Sequence, residues 1–146
     1  MAEDDLKLSV FRPDQPGIRK VLGDLEADIM ECIWARSPGE GTTVREVFET
    51  LYARRRIAYT SVMNTMTRLA KKHILRSVKD GPAYVYYPTV TQDELVSRVV
   101  GRLLEELLVS FSGATAAGIR GLKDPVAAQR ARELLDDIAR RRTSEE

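Results

Sequence analysis

Residues 54–79 read RRRIAYTSVMNTMTRLAKKHILRSVK, and the rest of the chain is best understood from this stretch. It contains eight Lys or Arg residues and no Asp or Glu, whereas the whole chain of 146 residues has a net charge of only +1. Apolar residues recur along it at helical spacing, at Val62, Met66, Leu69, Ala70 and His73. The opposite face of the predicted helix carries Ser61, Asn64, Arg68 and Lys71, flanked by Thr60, Thr67 and Lys72.

A helix with this composition has two interpretations. Its polar face is compatible with the major groove of DNA, because Asn and Arg can form paired hydrogen bonds with base edges and Lys neutralises phosphate charge. A solvated helix surface has the same composition. The stretch alone leaves the two interpretations nearly even, so the flanking elements must decide between them.

Two further helices are predicted before the basic one. The first spans residues 22–34, where apolar side chains follow helical spacing, and it ends at the breaker cluster Ser37-Pro38-Gly39. Thr43 and Glu46 form a capping-box signature that starts the second helix, which continues to Arg55. Residues 42–44 can also form a minimal strand.

A hairpin is predicted after the basic helix. Two β-rich runs, residues 74–79 and 83–87, flank Asp80-Gly81-Pro82. Three helices and a hairpin, with the third helix basic, is the order of a winged helix-turn-helix, in which the hairpin contacts phosphate beside the recognition helix. A purely structural hairpin is the alternative.

Two amphipathic helices are predicted after residue 90. Thr91 and Glu94 begin the first, which Gly101 interrupts, and Asp124-Pro125 begins the second, which runs to about Arg142. Residues 112–123 indicate a loop or a weak helix. The apolar stripes of these helices must be buried in an intrachain hairpin, against a partner chain or in both ways. We predict a symmetric homodimer. The predicted dimerisation residues are Val96, Val99, Val100, Leu103, Leu104, Leu107, Leu108, Phe111, Leu134, Leu135 and Ile138.

The predicted fold class is mainly α (α+β), with an N-terminal winged helix-turn-helix domain followed by C-terminal dimerisation helices. Residues 1–17 are expected to form an acidic flexible arm, residues 18–90 the DNA-binding domain and residues 91–146 the dimerisation domain. No apolar run reaches the roughly 20 residues of a membrane span, and the N-terminus lacks an apolar signal core. We therefore expect a cytoplasmic protein without membrane insertion.

The sequence offers little for catalysis or metal binding. It contains one cysteine, Cys32, and one histidine, His73, so it cannot form an intrachain disulfide or supply the four Cys or His ligands of a structural zinc site. Buried packing is expected for Cys32, and a core or helix-end position for His73. Neither a nucleophile–base pair nor a Gly-rich phosphate loop is recognisable. The sequence therefore predicts neither an enzyme nor a cofactor.

Several ordered motifs resemble the penicillinase-repressor family of winged-helix repressors. They are Leu22-Gly23-Asp24-Leu25-Glu26 with Ile33-Trp34, Thr43-Val44-Arg45-Glu46-Val47, Tyr59-Thr60-Ser61-Val62, Thr67-Arg68-Leu69-Ala70-Lys71-Lys72 and Val85-Tyr86-Tyr87-Pro88. The resemblance covers roughly residues 20–140. It implies dimers that bind palindromic operators and repress antibiotic-resistance genes or, in a copper-responsive branch, metal-homeostasis genes. It also implies base-reading roles for Thr60, Ser61, Met63, Asn64 and Arg68, and the helical spacing independently selects all of these except Met63.

The chain departs from this family in three ways. Ala58-Tyr59 replaces the Ser-Pro that often begins the recognition helix, which removes the usual cap. The cysteine cluster of the copper-responsive branch is absent. The only Asn is Asn64, so the Asn-Phe bond that is cleaved in β-lactam-responsive members does not exist here. The resemblance leaves open a sensor or protease that relieves repression.

The sequence as a whole favours a DNA-binding transcriptional repressor that acts as a homodimer on a palindromic operator and controls antibiotic-resistance or stress-response genes. The alternative is a winged-helix module for protein–protein assembly, which would not need an acid-free basic run. Thr67, Lys71 and Lys72 complete the predicted DNA-binding face of the helix. The predicted phosphate contacts are Arg54, Arg55, Arg76 and Lys79.

Overall fold

The computed structural model describes residues 11–145. A 3-10 turn at Gly17–Lys20 precedes α1 (Asp24–Trp34), α2 (Val44–Tyr52), α3 (Tyr59–Lys71), β1 (Leu75–Asp80), β2 (Ala83–Pro88), α4 (Gln92–Ser110), α5 (Ser112–Arg120) and α6 (Pro125–Glu145). Three helices followed by an antiparallel hairpin confirm the predicted winged helix-turn-helix and the mainly helical fold class.

The chain divides into two compact units, Met1–Gly101 and Arg102–Glu146. In the first unit, α1, α2, α3 and the hairpin enclose a single apolar core. Its completely buried members include Ile29, Met30, Val47, Val62, Met66 and Leu69. The core therefore contains the apolar face that was predicted for the basic helix, and the polar face of α3 is directed outward.

Residues 11–17 differ from the predicted flexible arm, most of which lies outside the described residues. The Arg12 guanidinium donates hydrogen bonds to the carbonyl oxygens of Arg19 and Leu22, at 2.9 and 2.7 Å. Phe11 packs against the core. α1 begins at Asp24 rather than at the expected Leu22, and Leu22 is buried in the turn before the helix.

The predicted capping box of α2 is confirmed. The Glu46 amide donates to Thr43 Oγ1 at 3.2 Å, and the Thr43 hydroxyl donates to Glu46 Oε1 at 3.0 Å. The Glu46 carboxylate also forms an ion pair with Arg36. Burial raises the pKa of Glu46, but these hydrogen bonds outweigh that effect and leave the pKa lowered.

α3 ends in a Schellman motif centred on His73. The Ile74 amide donates to the Leu69 carbonyl and the His73 amide to the Ala70 carbonyl, both at 3.0 Å. His73 has a φ of +63° and is exposed. The sequence placed this residue on the apolar face, but it occupies the left-handed position that normally favours Gly, so of the two predicted locations the helix end is the one observed.

The hairpin, here called the wing, pairs β1 with β2 in the register Val78↔Val85 and Asp80↔Ala83. Its two-residue loop is Gly81-Pro82, and Gly81 takes a φ of +63°, as the first loop position of a type II′ turn requires. Thr42 forms an isolated antiparallel bridge with Tyr86 of β2, so only the first of the three residues expected to form a minimal strand is paired.

The beginning of α4 belongs to the core of the first unit. Leu95 is completely buried, Val99 is 6% exposed and Val96 packs against them. The Trp34 indole N–H donates to the Val90 carbonyl at 3.0 Å just before the helix. The assignment of Val99 to dimerisation is therefore corrected, because its own chain covers it, whereas the partly buried Val96 stays a prediction. Burial of Leu95 is worth about 1.5–3 kcal/mol.

The second unit consists of the end of α4 with α5 and α6. Residues 112–120 form a helix, the second of the two possibilities expected there. The Ala127 amide donates to Asp124 Oδ2 at 2.8 Å, so Asp124 caps α6 as predicted. None of the helices in the described part of the chain is long and apolar enough to cross a membrane.

Candidate nucleic-acid interface

The outward face of α3 is exposed and polar. Ser61, Asn64, Thr67, Arg68 and Lys71 are exposed, and so are Thr60 and Met63 beside them. Thr65, which the sequence did not assign to either face, is 2% exposed, and its hydroxyl donates to the Ser61 carbonyl at 2.8 Å. This internal hydrogen bond allows a polar side chain in the core, and helical spacing alone does not reveal it.

The first turn of α3 is held by aromatic packing rather than by a polar cap. Ala58 at the N-cap has no side-chain hydrogen bond, as the missing Ser-Pro motif predicts. Tyr59 packs edge-on against Phe48 of α2, with ring centroids 5.4 Å apart, and Phe48 also contacts Tyr52 at 5.3 Å. These rings connect the start of the recognition helix to α2.

The three arginines between α2 and α3 have different surroundings. Arg54 is exposed. Arg56 lies over the Tyr52 ring, 5.8 Å from its centroid, and donates to the Tyr52 hydroxyl at 2.9 Å. Arg55 is bound to Asp28 of α1, with 2.8 Å between Nη2 and Oδ2. Arg55 is thus held in place by an acidic residue that lies far from it in the sequence.

The Asp28 carboxylate also binds Arg19, through its other oxygen. The side chain of Asp28 is only 17% exposed. The hydrogen bond to Asp28 is the main reason that the pKa of Arg19 is raised. Asp28 was not identified from the sequence, because its role depends on the packing of α1 beside the turn that precedes α3.

Lys72, the C-cap residue that follows α3, has a different environment from the basic residues of the helix. Its ammonium group lies 2.8 Å from Glu26 Oε2, and Glu26 is 8% exposed. Glu26 also accepts a hydrogen bond from the Gly23 amide at 3.1 Å. The sequence placed Lys72 on the DNA-facing surface, but this ion pair between α3 and α1 indicates a structural role.

An open groove of about 920 Å³ lies between the wing, α3 and the start of α2. Its basic members are Arg45 and Lys71, its apolar and aromatic members include Tyr59, Met63 and Tyr84, and no carboxylate is among the described residues that line it. Arg45 and Tyr84 were not predicted, because their positions beside α3 depend on how α2 and the wing pack. The groove is compatible with an anionic, ring-containing ligand.

The two wing residues predicted to contact phosphate lie on β1. Arg76 stacks over the Tyr87 ring, 4.8 Å from its centroid, and Tyr87 is its cross-strand partner. Lys79 is exposed beside the turn and pairs with Tyr84. The stacking holds the Arg76 guanidinium on one side of the wing.

Within residues 11–145, no three His, Cys, Asp or Glu side chains are grouped so that they could hold a metal ion. Cys32 is half-buried against the core.

The sequence matches the model of the penicillinase repressor family over residues 22–140. This chain belongs to the penicillinase repressor family. The transcriptional regulators BlaI of two Mycobacterium tuberculosis strains, CDC 1551 / Oshkosh and ATCC 25618 / H37Rv, are each 38% identical to this repressor over 118 residues, which cover 81% of this chain and 83% of theirs. The solution structure of the DNA binding domain of the repressor BlaI aligns with a TM-score of 0.43 and 26% identity, over 52% of this chain and 88% of that chain.

Family membership makes the protein a DNA-binding transcriptional repressor.

Proposed function

We propose that this repressor binds, as a homodimer, an operator of two inverted half-sites, with α3 of each subunit in the major groove. The observation that carries the proposal is the two-sided environment of α3: an exposed face of hydroxyl, amide and basic groups, and a back that is buried in the core. Such a helix can enter the groove without disturbing its own domain.

Roles follow from position on α3 and the wing. The residues proposed to read bases are Thr60, Ser61, Met63, Asn64 and Arg68. Thr67, Lys71, Arg54, Arg55, Arg76 and Lys79 are proposed to contact phosphate, which contributes affinity without sequence preference. We exclude Lys72 from the interface because of its ion pair with Glu26.

The proposed dimer is supported by apolar residues that the chain itself leaves exposed. Leu104 is 48% exposed, Leu108 55% and Leu134 62%. Val100, Phe111, Leu135 and Ile138 are also exposed, whereas Leu103 and Leu107 are half-buried. A second copy would cover such surfaces symmetrically, and the two half-sites would then be about one helical turn of DNA apart or a multiple of it.

The genes proposed as targets are antibiotic-resistance or stress-response genes, in line with the family's description as penicillinase repressors. We further propose that a sensor or protease relieves repression. The proposed location of the repressor is the cytoplasm.

Selection of bound sequences from random duplex DNA tests the proposal with the full-length protein. We expect enrichment of one sequence as an inverted pair. A pool without enrichment, from protein that binds all duplexes equally, would contradict sequence-specific repression. Enrichment of a single unrepeated half-site would contradict the dimer alone.

A further inference from the structure

The carboxylate of Asp28 is held between two arginines, one on each oxygen. Oδ1 binds Arg19 of the 3-10 turn, and Oδ2 lies 2.8 Å from Nη2 of Arg55. Arg19 is held a second time, because its Nη1 donates to the Asp24 carbonyl at 2.9 Å. The Asp28 carboxylate is thus fixed by a part of the domain remote from α3 in sequence.

Arg55 is only partly used by this contact. Its side chain is 53% exposed, and the hydrogen bond to Asp28 uses one nitrogen of a guanidinium that has five N–H donors. More than half of the Arg55 side chain is thus accessible beside the turn that enters α3. Arg19 is also shared with Asp24, whose Oδ1 lies 3.6 Å from Nη1, so the group of this cluster that can attract an anion is the exposed guanidinium of Arg55.

We propose that Asp28 is a positioning residue that holds Arg55 in the orientation in which it contacts a DNA phosphate. This rests on the proposed DNA-binding function. A free arginine side chain loses much rotamer freedom when it binds, and an arginine already held by a carboxylate loses less. Asp28 therefore increases DNA affinity, although it is itself negatively charged.

The negative charge of Asp28 and its positioning of Arg55 have opposite effects on DNA affinity, which makes the proposal testable. As a charge, Asp28 repels phosphate, so its removal should tighten binding, and salt screens this effect over about 8 Å at physiological ionic strength. As a positioning residue, Asp28 increases affinity through Arg55 alone, and salt affects this contribution less. The effect of removing Asp28 must therefore depend on whether Arg55 is present.

A double-mutant cycle on the full-length protein measures this dependence. The probe is a fluorescent duplex carrying the selected operator, titrated at low and high salt. We expect Asp28→Ala to weaken binding about three- to tenfold, and to do so more strongly at high salt. In the Arg55→Ala protein the same change should leave affinity unchanged or tighten it. Asp28→Asn keeps the side-chain volume but only one acceptor oxygen, so it can hold one of the two arginines, and its affinity should lie between those of the wild type and Asp28→Ala.

Each of the other outcomes contradicts either the positioning role of Asp28 or the proposed DNA binding. Tightening by Asp28→Ala to the same extent in both backgrounds would mean that Asp28 only repels DNA. Equal weakening in both backgrounds would show a purely structural role of Asp28, and a lowered melting temperature of the Asp28→Ala protein would support that conclusion. The same cycle with Asp28→Asn then tests whether the loss of affinity depends on Arg55. If Arg55→Ala changes neither affinity nor salt slope, the positioning fails while DNA binding stands. Failure of the wild-type protein to bind the operator would reject the proposed function itself.

Discussion

At the scale of single residues, the last lysine of α3 and the lysine that follows it have opposite surroundings. Lys71 is exposed in the groove, and Lys72 is ion-paired with the buried Glu26. We expect Lys71→Ala to weaken binding to all DNA sequences and to reduce the log–log salt slope by about 1 per subunit, with little change in melting temperature. Lys72→Ala should instead cost roughly 1–3 kcal/mol of folding free energy, because Glu26 loses its partner.

Salt-dependent binding and urea denaturation of the two variants check this pair. Equal losses of stability would contradict the structural role of Lys72, and a larger change of salt slope for Lys72→Ala would place Lys72 in the interface after all.

Arg68 tests base reading at the same scale. Its exposed guanidinium can form two parallel hydrogen bonds with a guanine edge, which an ammonium group cannot reproduce. Arg68→Lys keeps the charge, so we expect an unchanged salt slope but a loss of about 1–3 kcal/mol in discrimination at one or two positions per half-site. Titration of operator variants measures the discrimination. A uniform loss on specific and random DNA would reject the base-reading role.

At the scale of elements, the first turn of α2 depends on an ionised Glu46. Its pKa lies below the ordinary value of 4.5 in the folded chain. The folded state therefore favours the charged form, and the stabilisation is present above pH 4.5 and is lost as the pH falls through the lowered pKa. Because the side chain is 42% exposed, we expect only about 0.5 kcal/mol.

Unfolding of Glu46→Gln by urea between pH 7 and pH 3 checks this expectation. The variant keeps the capping hydrogen bond but cannot ionise, so its stability should be lower than that of the wild type at pH 7 and should converge with it in acid. Glu49→Gln, on the exposed side of the same helix, is the control. A constant difference at every pH would contradict a contribution from the ionised group.

Gly41 allows the strand before α2 to approach the wing. A Cβ at this position would lie 2.1 Å from Val85 Cγ1 and 2.8 Å from Cζ of Tyr87. Gly41→Ala must therefore displace the Val85 and Tyr87 side chains, and we expect a loss of roughly 1–3 kcal/mol in thermal or urea unfolding. Gly101 in α4 is the matched control, because a Cβ there meets nothing within 4 Å among the described residues.

Gly101→Ala should stabilise the chain by about 0.5–1 kcal/mol through helix propensity. A destabilised Gly101→Ala protein would mean that another chain approaches α4 there. A Gly41→Ala protein as stable as the wild type would show that the Val85 and Tyr87 side chains move without cost.

At the scale of the whole molecule, the proposed dimer depends on the second unit. Leu104→Glu would place an uncompensated carboxylate in the apolar interface, which is costly, so we expect monomers at micromolar concentration and weaker operator binding. Arg102→Gln changes the net charge by the same amount on the other side of α4 and should leave the dimer intact. Sedimentation velocity distinguishes the two. Dimers that persist in Leu104→Glu would place the interface elsewhere.

The sequence by itself determined the order of elements, since hydrophobic spacing, two capping motifs and the Gly-Pro turn are local signals. It also determined which face of α3 is exposed, because helical spacing separates Val62 and Met66 from Asn64 and Arg68. Only the tertiary structure decided what the basic residues bind. Lys71 and Lys72 are equivalent in composition, and their different roles come from Glu26 on α1.

The same reason explains the misassigned start of α4. An amphipathic stripe shows that a face must be covered, but not by what, so Val99 was assigned to a partner chain although the first unit covers it. Asp28 and Arg55 are 27 residues apart. Their contact, like every ion pair between elements, exists because burial of apolar side chains brings the elements together. Local sequence patterns do not predict which residues then lie close to each other.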